Sequence, residues 1–148
     1  MAKERGKGLA VRVVDRAYRL LTRLGLGASH RQLLSVRGRR TGRVYTTPVD
    51  VMELDGRRWL VAAYGPGSWV RNARAAGEVV LSRGGRSRTY RVVEAEPSEA
   101  IPVLRRYLAE VRIAGPYFDA TPDSPDDALL AELPRHPVFA LVPTPPTP

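Results

Sequence analysis

The sequence predicts a mainly β domain with peripheral helices (α+β class), packed as a closed or split antiparallel β-barrel. Two hairpin turns, Asp55-Gly56 and Gly84-Gly85, are each flanked by short β-type runs. Strands and helices do not alternate, which argues against a doubly wound parallel sheet. The 148 residues are 43% hydrophobic, enough for one core and one domain.

Taken in order, residues 1–8 are basic, polar and glycine-containing, and are expected to be mobile. The single domain is expected over residues 9–142. It opens with an amphipathic helix over 9–24, in which Ala10, Val14, Ala17, Leu21 and Leu24 share one face and Arg12, Arg16, Arg19 and Arg23 another. Gly25 and Gly27 stop it. Strands are expected over Gln32–Val36, Thr46–Leu54 and Arg58–Tyr64, the last broken by Gly65-Pro66-Gly67. Ser68 is placed to cap a short helix ending near Ala76. A second hairpin runs over Glu78–Ser82 and Ser87–Glu94. A helix over Ser98–Val111 follows, with Ile101, Leu104, Leu108 and Val111 as its apolar stripe and Pro102 confined to its first turn. After a loop through Gly115 and Pro116, Ser124-Pro125-Asp126-Asp127 reads as a helix start, with proline first and acids in the first turn. His136–Val142 is the last strand, and the tail 143–148 is too proline-rich for a sheet interior.

The absence of cysteine excludes disulfides, thiolate metal sites and thiol catalysis. No run approaches the roughly 18 apolar residues of a membrane span, and no signal peptide is evident. The expectation is a soluble cytoplasmic protein, with the 9–24 helix able to lie on an anionic membrane or to cover the barrel or a second subunit. Both a monomer and a homodimer are compatible with this. The net charge of +9 comes from 24 Lys and Arg against 15 Asp and Glu, which favours polyanions: nucleic acid, anionic lipid or a phosphorylated cofactor.

The most informative stretch is Ser35-Val36-Arg37-Gly38-Arg39-Arg40-Thr41-Gly42-Arg43, a strand entering a loop of four arginines, two glycines and a threonine. Glycine admits close backbone approach, and arginine offers forked donors to phosphate oxygens. The order matches neither a Walker A loop nor a Gly-x-Gly-x-x-Gly turn. It continues into Thr46-Thr47-Pro48-Val49, then Val61-Ala62-Ala63-Tyr64-Gly65-Pro66-Gly67, then Trp69-Val70-Arg71-Asn72-Ala73.

In that order and spacing, Gly-Arg-Arg-Thr-Gly, Thr-Thr-Pro-Val, Val-Ala-Ala and Trp-x-x-Asn resemble the deazaflavin (coenzyme F420)-dependent nitroreductases, also known as F420H2-dependent quinone reductases, over about residues 30 to 142. The resemblance implies an FMN-binding-like split β-barrel and an enzyme that passes a hydride from reduced F420 to a small acceptor: a quinone, nitro compound or enone. It implies that Arg39, Arg40 and Thr41 meet the cofactor's phosphate and acidic tail. Tyr45, Thr46, Thr47, Pro48 and Val49 would run along the deazaflavin and its side chain. Ala62, Ala63, Tyr64 and Gly65 would bring the ring to backbone amides, and Trp69, Val70, Arg71, Asn72 and Ala73 would line the phosphate side at a helix start. The chain departs from the family pattern at Tyr45, where well-known members carry arginine, and at Tyr64 and Pro66, where serine and glycine are common.

Hydride chemistry belongs to such a cofactor, so no catalytic triad is needed. Tyr117 is the candidate for acceptor contact or proton donation. No metal site is expected, since His30 and His136 lack ligand spacing. Trp59, alternating within a strand, reads as core. The competing readings are an FMN-dependent split-barrel oxidoreductase, a non-enzymatic F420-binding barrel, and a nucleic-acid-binding barrel. The last is disfavoured because residues 35–43 hold no aromatic to stack a base.

Overall fold

A computed structural model describes residues 31–145. The expected basic N-terminus (1–8), the 9–24 helix and His30 lie outside the described residues, as do residues 146–148. Six strands, β1 (Arg31–Arg37), β2 (Val44–Leu54), β3 (Arg57–Val61), β4 (Glu78–Arg83), β5 (Arg86–Glu94) and β6 (Val138–Pro143), form a closed antiparallel barrel in the order β1-β2-β3-β6-β5-β4, with β4 pairing back onto β1. The helices are α1 (Ser68–Ala76), α2 (Pro97–Glu110) and α3 (Asp126–Leu130), with a 3-10 turn over Arg112–Tyr117 where only a loop was expected.

Both hairpin turns close as anticipated. Asp55 and Gly56 have φ of 56° and 71°, and Gly84 and Gly85 have 58° and 82°. Consecutive positive φ matches the right-handed twist of the paired strands.

The period-two alternation of the strands divides the core in two. Leu34, Val36, Val51, Leu60, Tyr90, Phe139 and Leu141 fill the barrel interior, and α1 contributes Val70 and Ala73 to it. Met52, Trp59, Val61, Val138 and Ala140 point outward and are covered by Val103, Leu104, Tyr107 and Leu108 of α2. β3 and β6 are thus apolar on both faces because each face has a layer against it. Trp59 is core, as expected, with its Nε1 donating to the Leu54 carbonyl at 3.3 Å.

Several boundaries differ from expectation. β3 stops at Val61 because its partner starts at Val138; the Ala62 amide bonds Pro137 O at 2.9 Å and the chain turns away. The N-cap of α1 is Gly67, and Ser68 is its first helical residue, without a side-chain cap. Pro102 lies inside α2, on its exposed side, where water can reach the Ser98 carbonyl that loses its donor. The buried stripe of α2 is Ala100, Val103, Leu104, Tyr107 and Leu108; Leu104, Leu108 and Val111 at the C-cap are buried as expected, while Ile101 is only partly covered. Pro125 sits at the N-cap of α3 rather than at its first position. His136 precedes β6, while Pro143 closes the ladder opposite Tyr90 and Thr144 N bonds Thr89 O at 3.3 Å, so the tail begins later than expected.

Candidate functional site

Strand direction gathers the predicted site at one rim. β1 and β3 end there, β4 and β6 begin there, and so the 38–43 turn, the 62–67 turn with α1, and the segment before β6 all belong to that rim. The Asp55-Gly56 and Gly84-Gly85 turns belong to the other.

The 38–43 turn is held by its own backbone. Gly38 N bonds Arg43 O at 2.6 Å and Gly42 N bonds Gly38 O at 3.0 Å, with Gly42 at φ 75°. The Thr41 hydroxyl accepts from Arg43 N at 3.2 Å and lies 3.3 Å from Tyr45 Oη, so it serves the turn's shape. Gly38 is the seat of the Tyr45 ring: a Cβ there would stand 2.6 Å from Tyr45 Cε2.

Arg39, Arg40 and Arg43 stand exposed around this turn, and Arg71 on α1 is also exposed. None of the four makes an ion pair among the described residues, whereas Arg57, Arg74, Arg105 and Arg135 each lie on a carboxylate at 2.6–2.9 Å. The turn is moored to α1 by Asn72, which is 4% exposed. Its Oδ1 accepts from Arg39 N at 3.1 Å and from Arg39 Nη1 at 2.8 Å. Its Nδ2 has no hydrogen-bond partner among the described residues, an unusual condition for a buried amide. The first-turn amides of α1 lack intrahelical acceptors by construction.

The other predicted residues divide between the rim and the core. Thr46 Oγ1 meets Ser35 Oγ at 2.9 Å across the β1–β2 pair, and Thr47, Pro48 and Val49 continue half-buried along β2. Trp69 is half-buried, its ring 5.9 Å from that of Phe139. Ala62, Ala63, Val70 and Ala73 turn their side chains into the two cores, so only their backbone can face a ligand. The amides expected to meet a ring are largely engaged: Ala62 N on Pro137 O, Ala63 N on Val61 O, and Gly65 N on Ala62 O at 3.3 Å. Tyr64 is exposed, and its ring meets Tyr117 edge to face at 4.7 Å. The two residues where the pattern departs and where a proton donor was sought are therefore neighbours.

Sequence reasoning passed over Glu132 and weighed His136 only as a metal ligand. Glu132 is 1% exposed and accepts from Asp119 N at 3.2 Å and Arg135 Nη2 at 2.6 Å. His136 is buried behind Ala62, and desolvation lowers its pKa, partly countered by the hydrogen bond to the Ala62 carbonyl. No local spacing signals either residue. A groove of about 840 Å³ lies elsewhere, along α2, lined by Leu54, Ile101, Pro102, Arg105, Ala109 and Asp126 among others, and shares no residue with the predicted site. Among the described residues no cluster of His, Asp and Glu could hold a metal ion, and no helix is long and apolar enough to cross a membrane.

Solved structures share this fold at low identity. A protein of Agrobacterium tumefaciens, Atu2129, matches at 17% identity and TM-score 0.59, over 97% of this chain and 57% of that one. The chain thus spans little more than half of that protein. A NimC/NimA family protein from Clostridium acetobutylicum matches at 13% and 0.51, over 85% and 77% of the two chains. A haem-binding protein from Mycobacterium smegmatis matches at 13% and 0.55, over 84% and 50%. No curated protein matches the sequence. The family model described as F420H(2)-dependent quinone reductase matches residues 10–122.

Proposed function

We propose, from the premise that the chain belongs to the F420H(2)-dependent quinone reductase family, that it is an F420-dependent oxidoreductase which reduces a small quinone at the rim formed by the 38–43 turn, α1 and the Tyr64–Tyr117 pair. Nitro compounds and enones are acceptors of the same class. One observation supports the reading: a turn of arginines without ion pairs among the described residues, tied to a helix start by a buried asparagine whose amide nitrogen has no partner among the described residues.

These groups fit a strongly anionic cofactor. Arg39, Arg40, Arg43 and Arg71 supply guanidinium donors, and the first-turn amides of α1 add to them. Asn72 fixes the Arg39 backbone and keeps one donor in reserve. Thr41 and Gly38 hold the turn and the Tyr45 ring in register. Bound F420H2 supplies the hydride, and the protein supplies orientation and electrostatics. Tyr117, half-buried and pressed against Tyr64, contacts the acceptor and presents a proton at its Oη. The aromatic edges of the two tyrosines give a flat acceptor a surface to stack on. Outside the described residues, the arginine-bearing 9–24 segment is proposed to touch an anionic membrane; failure to float with anionic liposomes at low salt removes that element.

The test is a titration of the purified protein with oxidised F420 and, separately, FMN, followed by tryptophan fluorescence. Saturable F420 binding that is lost in an Arg39→Ala/Arg40→Ala variant, and absent for FMN, supports the reading. Tight FMN binding without F420 binding moves the chain to flavin chemistry. Tyr117→Phe with unchanged quinone turnover removes Tyr117 from the mechanism.

A further inference from the structure

The segment that precedes β6 touches both halves of the acceptor side. His136 is 4% exposed, and its Nδ1 lies 3.0 Å from the Ala62 carbonyl. A carbonyl only accepts, so in the neutral ring Nδ1 carries the proton. The next residue closes the same junction, Pro137 O accepting from Ala62 N at 2.9 Å. On its other side the imidazole stacks on Phe118, with ring centroids 3.8 Å apart and planes at 27°. Glu132 and Arg135 fasten the same loop: Glu132 accepts from Asp119 N, and Arg135 donates to Asp119 Oδ2 at 2.7 Å. Ala62 stands two residues before Tyr64, and Phe118 one after Tyr117.

We infer that His136 is a positioning residue for acceptor reduction: it braces the Ala62–Tyr64 turn against the Tyr117–Asp119 loop and so fixes the contact of the Tyr64 and Tyr117 rings. This rests on the reading of that pair as the acceptor surface. His136 touches neither cofactor nor acceptor. It acts by holding together two backbone segments that also meet through the Tyr64–Tyr117 contact. The charged groups acting on it are Glu132 and Arg135 from its own segment, both bonded in turn to Asp119 of the opposing loop; Ala62 meets it through its backbone carbonyl. Charging the ring at acid pH places an imidazolium in the stack, drawn by Glu132 and opposed by Arg135, and changes the brace. The tyrosine contact and the acceptor KM should therefore both change in mildly acidic buffer.

Two variants separate bracing from filling. His136→Phe keeps a flat ring against Phe118 but has no donor for Ala62. His136→Asn places an amide nitrogen near the Nδ1 position. In the cofactor-free protein, NMR contacts between the Tyr64 and Tyr117 rings should weaken in His136→Phe and persist in His136→Asn. In the loaded enzyme, His136→Phe should raise the KM for a water-soluble benzoquinone about fivefold, the scale of one lost hydrogen bond, with the Kd for F420 unchanged and KM restored in His136→Asn. An unaltered ring contact and KM in His136→Phe overturns the inference. So does an equal loss in both variants. Should His136→Phe not fold, the pH profile decides. An acid inflection of the tyrosine contact in the wild type that is missing in His136→Asn supports the brace, and identical profiles refute it. Failure of the wild type to bind F420 or reduce any quinone refutes the proposed function instead, and leaves the NMR comparison to judge the brace alone.

Discussion

Asn72→Ala probes the mooring of the arginine turn most directly. The substitution deletes the acceptor of two hydrogen bonds, one from the Arg39 amide at 3.1 Å and one from its guanidinium at 2.8 Å. A neutral bond contributes about 1 kcal/mol and a bond to a charged group about 1.5–3 kcal/mol. Arg39 is exposed, so water recovers part of both. The net loss should be about 2 kcal/mol, which for a chain of this size lowers Tm by roughly 4–8 °C. With Arg39 released, F420 should bind roughly tenfold to a hundredfold more weakly, at tenfold per about 1.4 kcal/mol. Asn72→Asp divides the two effects. It keeps an acceptor for Arg39, so thermal stability should hold, but it exchanges the Nδ2 donor, which has no partner among the described residues, for a carboxylate oxygen, so affinity for an anion should still fall. Differential scanning calorimetry and F420 titration on both variants measure this. If Asn72→Ala binds F420 as the wild type does, the turn's position is irrelevant to the cofactor. If Asn72→Asp does, Nδ2 does not face the anion.

Leu104→Ala, at a fully buried position between α2 and the barrel, should cost about 2–5 kcal/mol in urea unfolding while leaving the Kd for F420 unchanged. Gly38→Ala should displace the Tyr45 ring, 2.6 Å from the new Cβ, and press on Arg43 O and Thr41 Oγ1, each 3.2 Å away, so that both Tm and F420 binding fall. The pH dependence of stability should carry the signature of His136. Its folded pKa is depressed below the ordinary 6.5, so between those two values the unfolded chain holds more protons. Its contribution is fully present above about pH 6.5 and is lost as pH falls toward the folded value. Thermal melts from about pH 7 to about pH 5 should therefore decline more steeply for the wild type than for His136→Asn, and parallel curves would show that the ring titrates normally.

The barrel was legible because each strand announces its own faces. Leu60 and Phe139 point in while Trp59 and Val138 point out, and the two Gly-bearing turns set the register. That Ala100, Val103 and Tyr107 join the buried face of α2 was not legible. Ile101 and Tyr107 are both apolar enough to be buried, and only the barrel's outer surface decides that Tyr107 goes under. The loop arginines were legible from composition, and their lack of carboxylate partners was not. Asn72 stood out in a motif, yet its partner Arg39 is 33 residues away, beyond any local pattern. The same holds for His136, which looks solitary until the fold brings Ala62 to it from 74 residues away. Val70 and Ala73, close to Asn72 in sequence, turn their side chains into the barrel core and leave only backbone for the rim, which the motif by itself does not show.

Closure of the barrel has a consequence for how such a chain can change. Every described strand has a neighbour on both sides, so none offers an open ladder to another molecule, and the usual defences against edge-to-edge aggregation are not required of the loops. Connections at the rim can lengthen, shorten or exchange their charges without uncovering a template for fibril growth. The arginine turn is thus a module whose length and charge can drift at low risk of edge-to-edge aggregation, while the staves that carry it stay as they are.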